Sequence, residues 1–279
     1  MKPQTFKQAC VNWTYEPGAY AAFLEEAWPL IDKVPGRLGQ IEAFFLYQSA
    51  RSLRSQTRGI DLLPAHAVLE IGSFRGRSSV ALGLGLQRNP EGGFRLYCLD
   101  PFFDEQLAEG FLAEFRRNIA AAGLTDIVEC IPSTSKEAVQ RWPLSRPLAM
   151  LWIDGNHEYE HVRDDLLCWL PFLNPGGIVA FHDWYLLGVR EALLRHFFPN
   201  PCLQEVAVID YNLVAARKVD APPTCEQRAT KKRMEWALRT GSTSPWLALL
   251  AMTYEVLSRP FGNLHHFFRE TISVTRQRS

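Results

Sequence analysis

No two cysteines in this 279-residue chain stand at CxxC spacing. The six present, Cys10, Cys98, Cys130, Cys168, Cys202 and Cys225, are scattered, several of them in apolar runs. That pattern excludes a disulfide framework and a thiolate zinc site, and points to free thiols in a reducing compartment. The N-terminal stretch MKPQTFKQACVNWTYEPG lacks the apolar core of a secretory signal. No run approaches the ~18 uninterrupted apolar residues of a membrane span, so the expected location is the cytoplasm. Thirty Lys and Arg balance thirty Asp and Glu. With no net charge there is no overall field to draw a polyanion, and nucleic acid is not an expected partner. The dinucleotide fingerprint GxGxxG, internal repeats and low-complexity tracts are also absent.

The remainder reads as a soluble globular protein, 47% hydrophobic and 22% charged, with enough chain for a sizeable core. Residues 1–60 form a helical leader. Helical spacing runs from Ala19 to Ile31 and again from about Gly39 to Arg54, with Val34-Pro35-Gly36 as the break. Residues 61–219 alternate short strands with helices. The strands are AVLEIG (67–72), FRLYCLD (94–100), IVECI (127–131), Leu148 to Ile153 and Ile178 to Phe181. The last two are joined by a helix and a turn at Asn174-Pro175-Gly176-Gly177. Helices are expected over SSVALGLGLQ, 104–122 with Gly123 closing it, a short stretch to Trp142, and 188–198. Such alternation predicts an α/β fold with a parallel sheet and helices on both faces. Two further β-type runs, 205–209 and 212–216, predict a hairpin that adds an antiparallel strand. After Ala221-Pro222-Pro223 a helical extension, 220–279, carries nine Lys or Arg against four Asp or Glu over 226–279. Within it Ser244-Pro245 suits a helix start.

Glu70-Ile71-Gly72-Ser73-Phe74-Arg75-Gly76 lies between a strand and a helix that opens at Ser78. Glycines there allow tight turns and close approach of a ligand to backbone, and the helix start offers free N–H groups. Asp100 ends the next strand, where a carboxylate can accept from both hydroxyls of a ribose. Glu70 would repel a pyrophosphate but favour an ammonium or sulfonium. The sign of that interaction selects S-adenosylmethionine over a nicotinamide dinucleotide. A nicotinamide-dependent oxidoreductase is the weaker alternative.

Two apolar strands deliver Asp154 and the pair His182-Asp183 at their C-terminal ends. If the strands are neighbours, these side chains converge on a divalent ion, Mg²⁺ first, with Mn²⁺, Fe²⁺ or Zn²⁺ admitted by the histidine. His157, three residues beyond Asp154, has the pKa range of a general base. Without an ion, His157 or His182 alone could be that base. Asn156 reads equally as a turn residue or a substrate contact. Asp164-Asp165, His161 and Glu158 read as a solvated helix face. Trp184-Tyr185 reads as acceptor pocket or core, and Lys231-Lys232-Arg233 and His265-His266 as solvent-facing.

The runs VPGRLGQIEAFFLYQSAR, VLEIGSFRGRSS, LDPF and IDGNHEYEHVRDDLLCWLPFLNPGGIVAFHD together resemble the class I S-adenosylmethionine-dependent methyltransferases over about residues 34–217. They are most similar to the branch of bacterial small-molecule and sugar O-methyltransferases. The resemblance implies a Rossmann-like seven-stranded sheet with the last strand antiparallel. It implies that Glu70, Gly72, Ser73, Gly76 and Ser78 hold the methionine part of the cofactor, Asp100 the ribose, and Ser135 the adenine region, with Asp154 beside the cofactor. The set Asp154, His182 and Asp183 is similar to the metal site of catechol O-methyltransferase, with His182 where such enzymes commonly have Asp. His157 stands where that enzyme has its catalytic lysine. The implied acceptor is a hydroxyl of a small molecule or sugar, in natural-product or glycan biosynthesis. A homo-oligomer is compatible with the leader and extension.

Overall fold

The computed structural model describes residues 16, 18–55, 66–103, 110–210 and 212–240. Seven strands form one sheet: β1 (Ala67–Ile71), β2 (Arg95–Asp100), β3 (Val128–Pro132), β4 (Leu148–Ile153), β5 (Leu173–Phe181), β6 (Leu203–Ile209) and β7 (Leu213–Lys218). Their order is β3-β2-β1-β4-β5-β7-β6. Strands β1 to β5 pair in parallel, and β7 is antiparallel to both β5 and β6. Every residue of β1 and β4 is buried, which explains the unbroken apolar run of β4 and leaves Glu70 the one charged residue of β1. A parallel strand covered on both faces has no polar side to show.

Helices cover both faces. On one lie α1 (Ala19–Glu26), α2 (Trp28–Ile31), α3 (Gln40–Arg51), α4 (Arg77–Gln87) and α5 (Gly110–Ala121). On the other lie α6 (Ser135–Arg141), α7 (Tyr159–Trp169), α8 (Leu187–Ala192) and α9 (Cys225–Thr240). The leader packs tightly on this framework. A Cβ on Gly85 of α4 would lie 2.3 Å from the carbonyl oxygen of Tyr47 in α3. Only a hydrogen fits there, so α3 can press onto α4. Arg77, the first residue of α4, donates to the carbonyls of Leu38 and Val34 and pairs with Asp32 at 2.9 Å.

The structure departs from the sequence reading in five places. One of them is Lys231, which that reading has facing solvent but which donates inward to the carbonyls of Asn200 and Leu203. The helix expected over Ala19–Ile31 is broken at Ala27, with Pro29 starting the second piece. The Asn174–Gly177 segment is not a turn between elements. It lies inside β5 as an irregularity, where Leu148 pairs with Leu173 but Met150 with Ile178. The helix 188–198 is a short α-helix continued by one π-helical stretch, Leu193–Phe197. Asp165 does not face solvent: it is buried on α7. Residues 104–109, Ser244-Pro245, His265-His266 and Cys10 lie outside the described residues. The other five cysteines are unpaired.

Candidate active site

The order of strand progression reverses beside β1. From there the strands progress to β2 and β3 on one side, and to β4 and β5 on the other. Ligands of open α/β sheets bind at this switch point, outside the carboxyl ends of the strands. The ends are locked in step by three backbone bonds: Gly72 N–H to Leu99 O at 2.8 Å, Asp154 N–H to Ile71 O at 2.8 Å, and His182 N–H to Ile153 O at 3.1 Å.

On the β1–β2 side, Gly72 adopts φ +88°, and Gly76 caps α4. Asp100 clamps the intervening loop. Its Oδ2 accepts the Phe74 N–H at 2.8 Å and its Oδ1 accepts the Phe102 N–H at 2.7 Å. Each carboxylate oxygen still has a second lone pair for a ligand hydroxyl. Glu70 is fully buried and its Oε2 receives the hydroxyl of Ser79, with Ser78 and the Cys98 thiol close enough to favour its charged form. Burial raises its pKa, and those neighbours offset part of the rise. Ser73 and Ser78 are buried beside it. Ser135 accepts the Trp169 indole N–H at 2.8 Å and bonds to Asp165, whose pKa is pushed up to about 6, first by burial.

On the β4–β5 side, Asp154, His182 and Asp183 converge, with one ligand atom from each within 4.8 Å of the others. Neighbouring side chains on a strand normally point to opposite faces. Asp183 escapes that rule with φ 51°, a left-handed conformation that Asp tolerates better than most residues. His182 Nδ1 is 3.2 Å from Asp154 Oδ1 and 3.6 Å from Asp183 Oδ1. Ligands at adjacent corners around an ion with bonds of about 2.1 Å stand about 3 Å apart. The three side chains therefore fit a divalent cation.

His157 joins this group from the loop before α7. Its Nε2 lies 3.2 Å from Asp183 Oδ2 and 3.7 Å from Asp154 Oδ1. The carboxylates of Asp154 and Asp183 beside it raise its pKa to about 9. Burial opposes the charge on His182, but the bonds to Asp154, Asp183 and Glu42 outweigh it and hold the pKa far above the usual range. Burial acts to raise Asp183, yet the two histidines hold it well below the carboxylate range. Asn156 accepts the Glu158 N–H at 2.8 Å and so closes the turn into α7. Trp184 is core, whereas Tyr185 is 41% exposed and its pKa is raised by burial and by the charge of Asp183.

Two residues at the site lie outside the sequence reading, and a third, Asp165, is buried where that reading has it facing solvent. Glu42 of α3 and Asn212 of the β6–β7 turn both reach His182. No local pattern marks either one. Asp165 had a legible signal: it falls between Val162 and Trp169 on the buried stripe of α7.

Residues 69–184 match the family described as "Methyltransferase domain". A putative O-methyltransferase from Klebsiella pneumoniae has a similar structure, with 16% identity and a TM-score of 0.51 over 75% of this chain and 92% of that one. The O-methyltransferase TomG from Streptomyces achromogenes, involved in tomaymycin synthesis and solved with S-adenosylmethionine, is 18% identical. Its TM-score is 0.50 over 75% of this chain and 92% of that one. No described helix is long and apolar enough to cross a membrane. Residues 69–184 match a methyltransferase family model, and the seven-stranded sheet with its reversed β7 is the fold shared with these solved O-methyltransferases.

Proposed function

We propose that the chain is an S-adenosylmethionine-dependent O-methyltransferase, assisted by a divalent ion, that methylates a hydroxyl of a small molecule or sugar. The observation that carries this reading is the convergence of Asp154, His157, His182 and Asp183 at the strand ends adjoining the Gly72 loop. When bound, S-adenosylmethionine supplies an electrophilic methyl group on a sulfonium, and a divalent ion supplies the positive charge that acidifies a substrate hydroxyl.

The chain's own residues do the rest. Asp100 accepts from the ribose while fixing the loop that receives the methionine part. Asp154, His182 and Asp183 hold the cation. His157 stands beside that set with its side chain 39% exposed and its Nε2 turned to the carboxylates. With a cation offsetting the two carboxylates that raise its pKa to about 9, its other ring nitrogen would take the hydroxyl proton. Mg²⁺ suits the two carboxylates, and the imidazole of His182 extends the range to Mn²⁺. TomG acts in the synthesis of a natural product, in keeping with a small-molecule acceptor here.

A second reading rests on the His157–Asp183 pair at 3.2 Å, a histidine and its orienting carboxylate that act as a base with no ion as pH rises toward the histidine's pKa of about 9. One set of experiments separates the two. Purified protein is titrated calorimetrically with S-adenosylhomocysteine, then assayed for methyl transfer to a panel of catechols and sugars with Mg²⁺, with Mn²⁺ and after EDTA. Binding, transfer that stops with EDTA, and its loss in Asp154→Ala are expected. No binding of S-adenosylhomocysteine overturns the proposal. Transfer that survives EDTA selects the second reading.

A further inference from the structure

Glu42 is an odd residue to find 3% exposed in a leader helix. Its Oε2 accepts the Gly39 N–H at 2.6 Å, which closes the first turn of α3. Helix capping alone does not call for burial, and a buried carboxylate is costly unless it meets a charge or strong donor. The same Oε2 lies 3.3 Å from His182 Nε2.

Asn212 approaches that nitrogen from the opposite end of the domain. Its side-chain amide nitrogen lies 2.9 Å from His182 Nε2, while its Oδ1 is buried without a hydrogen-bond partner. The two ends of an amide are nearly the same shape. Turned end for end, Asn212 gives its orphaned oxygen the Nε2–H at the same distance and relieves two donors facing each other. The Trp152 ring lies against the imidazole, 5.6 Å between centroids. His182 is therefore gripped at Nε2 and along one face. Nδ1 is left aimed at Asp154 and Asp183.

We propose that Glu42 and Asn212 are positioning residues of the metal site. Both accept the Nε2–H of His182, which fixes the tautomer and presents the Nδ1 lone pair to the cation. The inference rests on the metal-assisted reading above and extends it to the leader, which supplies a residue acting on the ion through His182. Carboxylate partners of metal-bound imidazoles raise ligand basicity, and their loss typically weakens metal binding about 10–100-fold.

The test uses the full chain, Mn²⁺ as the probe and electron paramagnetic resonance of free Mn²⁺ as the readout, with S-adenosylhomocysteine affinity as a check on folding. Glu42→Gln retains an oxygen for the Gly39 N–H but loses the charge. The expected result is an unchanged S-adenosylhomocysteine Kd and a Mn²⁺ Kd about 10–100-fold weaker. Asn212→Ala leaves the cap untouched and is expected to weaken Mn²⁺ in the same direction. In a His182→Ala background Glu42→Gln is expected to cost nothing further, because its effect passes through the imidazole. Wild-type Mn²⁺ affinity in Glu42→Gln and Asn212→Ala overturns the inference and leaves Glu42 a helix cap. Wild-type protein that binds no Mn²⁺ overturns the metal-assisted reading and this inference together.

Discussion

A Cβ placed on Gly72 would lie 2.1 Å from the carbonyl oxygen of Asp154. The proposed cofactor loop and the proposed metal strand thus touch through a position that has room only for hydrogen. Gly72→Ala must push β4's end away and also hold a side chain at φ +88°. A cost of about 2 kcal/mol or more is expected. In a domain of this size that lowers Tm by roughly 4–8 °C. Calorimetry should show affinity for S-adenosylhomocysteine and for Mn²⁺ falling together. Loss of one without the other would mean the two halves of the site are independent.

Asp100 offers a narrower test. Its oxygens already hold the Phe74 and Phe102 N–H groups, so Asp100→Ala removes the ribose acceptor and releases the loop. At roughly 1.5–3 kcal/mol for hydrogen bonds to a charged group, S-adenosylhomocysteine should bind about 10–100-fold more weakly. Titration calorimetry measures this directly, and an unchanged Kd would remove Asp100 from the cofactor site.

His157→Gln separates chemistry from binding. The expected outcome is a kcat lower by about 10²–10⁴ with the S-adenosylhomocysteine Kd unchanged. A variant with full turnover would make His157 a partner of Asp183 and nothing more.

Asp165 makes its own contribution to stability against pH. Burial raises its folded pKa to about 6 from 3.8, so the fold favours the protonated carboxyl. Its contribution is most favourable below about pH 4 and is lost as pH rises through about 6. The shift of about two units corresponds to roughly 3 kcal/mol at neutral pH. Asp165→Asn should therefore melt above the wild type at pH 8, with the gap closing toward pH 4. A constant gap across that range would disprove the assignment.

The sheet was readable because its central strands are covered on both faces: Leu148–Ile153 has no polar residue to interrupt it. The strand ends were readable for the same reason, since Asp154, His182 and Asp183 are where those runs stop. What escaped depends on contacts distant in the chain. The Pro175-Gly176-Gly177 segment looks like a turn by composition, yet β4 and β7 flank β5 and keep it in the sheet. Glu42 looks like an ordinary first-turn acid. Its meeting with His182 follows from α3 pressing onto Gly85, which no local spacing encodes.

The grip of Arg77 on Leu38, Val34 and Asp32 has a consequence for building hybrid enzymes. A crossover in residues 56–65 looks convenient, because it falls between the leader and the first strand. It would hand α4 a stranger's 32–38 segment and His182 a stranger's α3. Donor and recipient would have to match at residues 32–42 for such a hybrid to work. A junction near Ala221-Pro222-Pro223 keeps these partners in one parent and asks instead that the two parents match where Met234 and Leu238 of α9 are buried against the sheet.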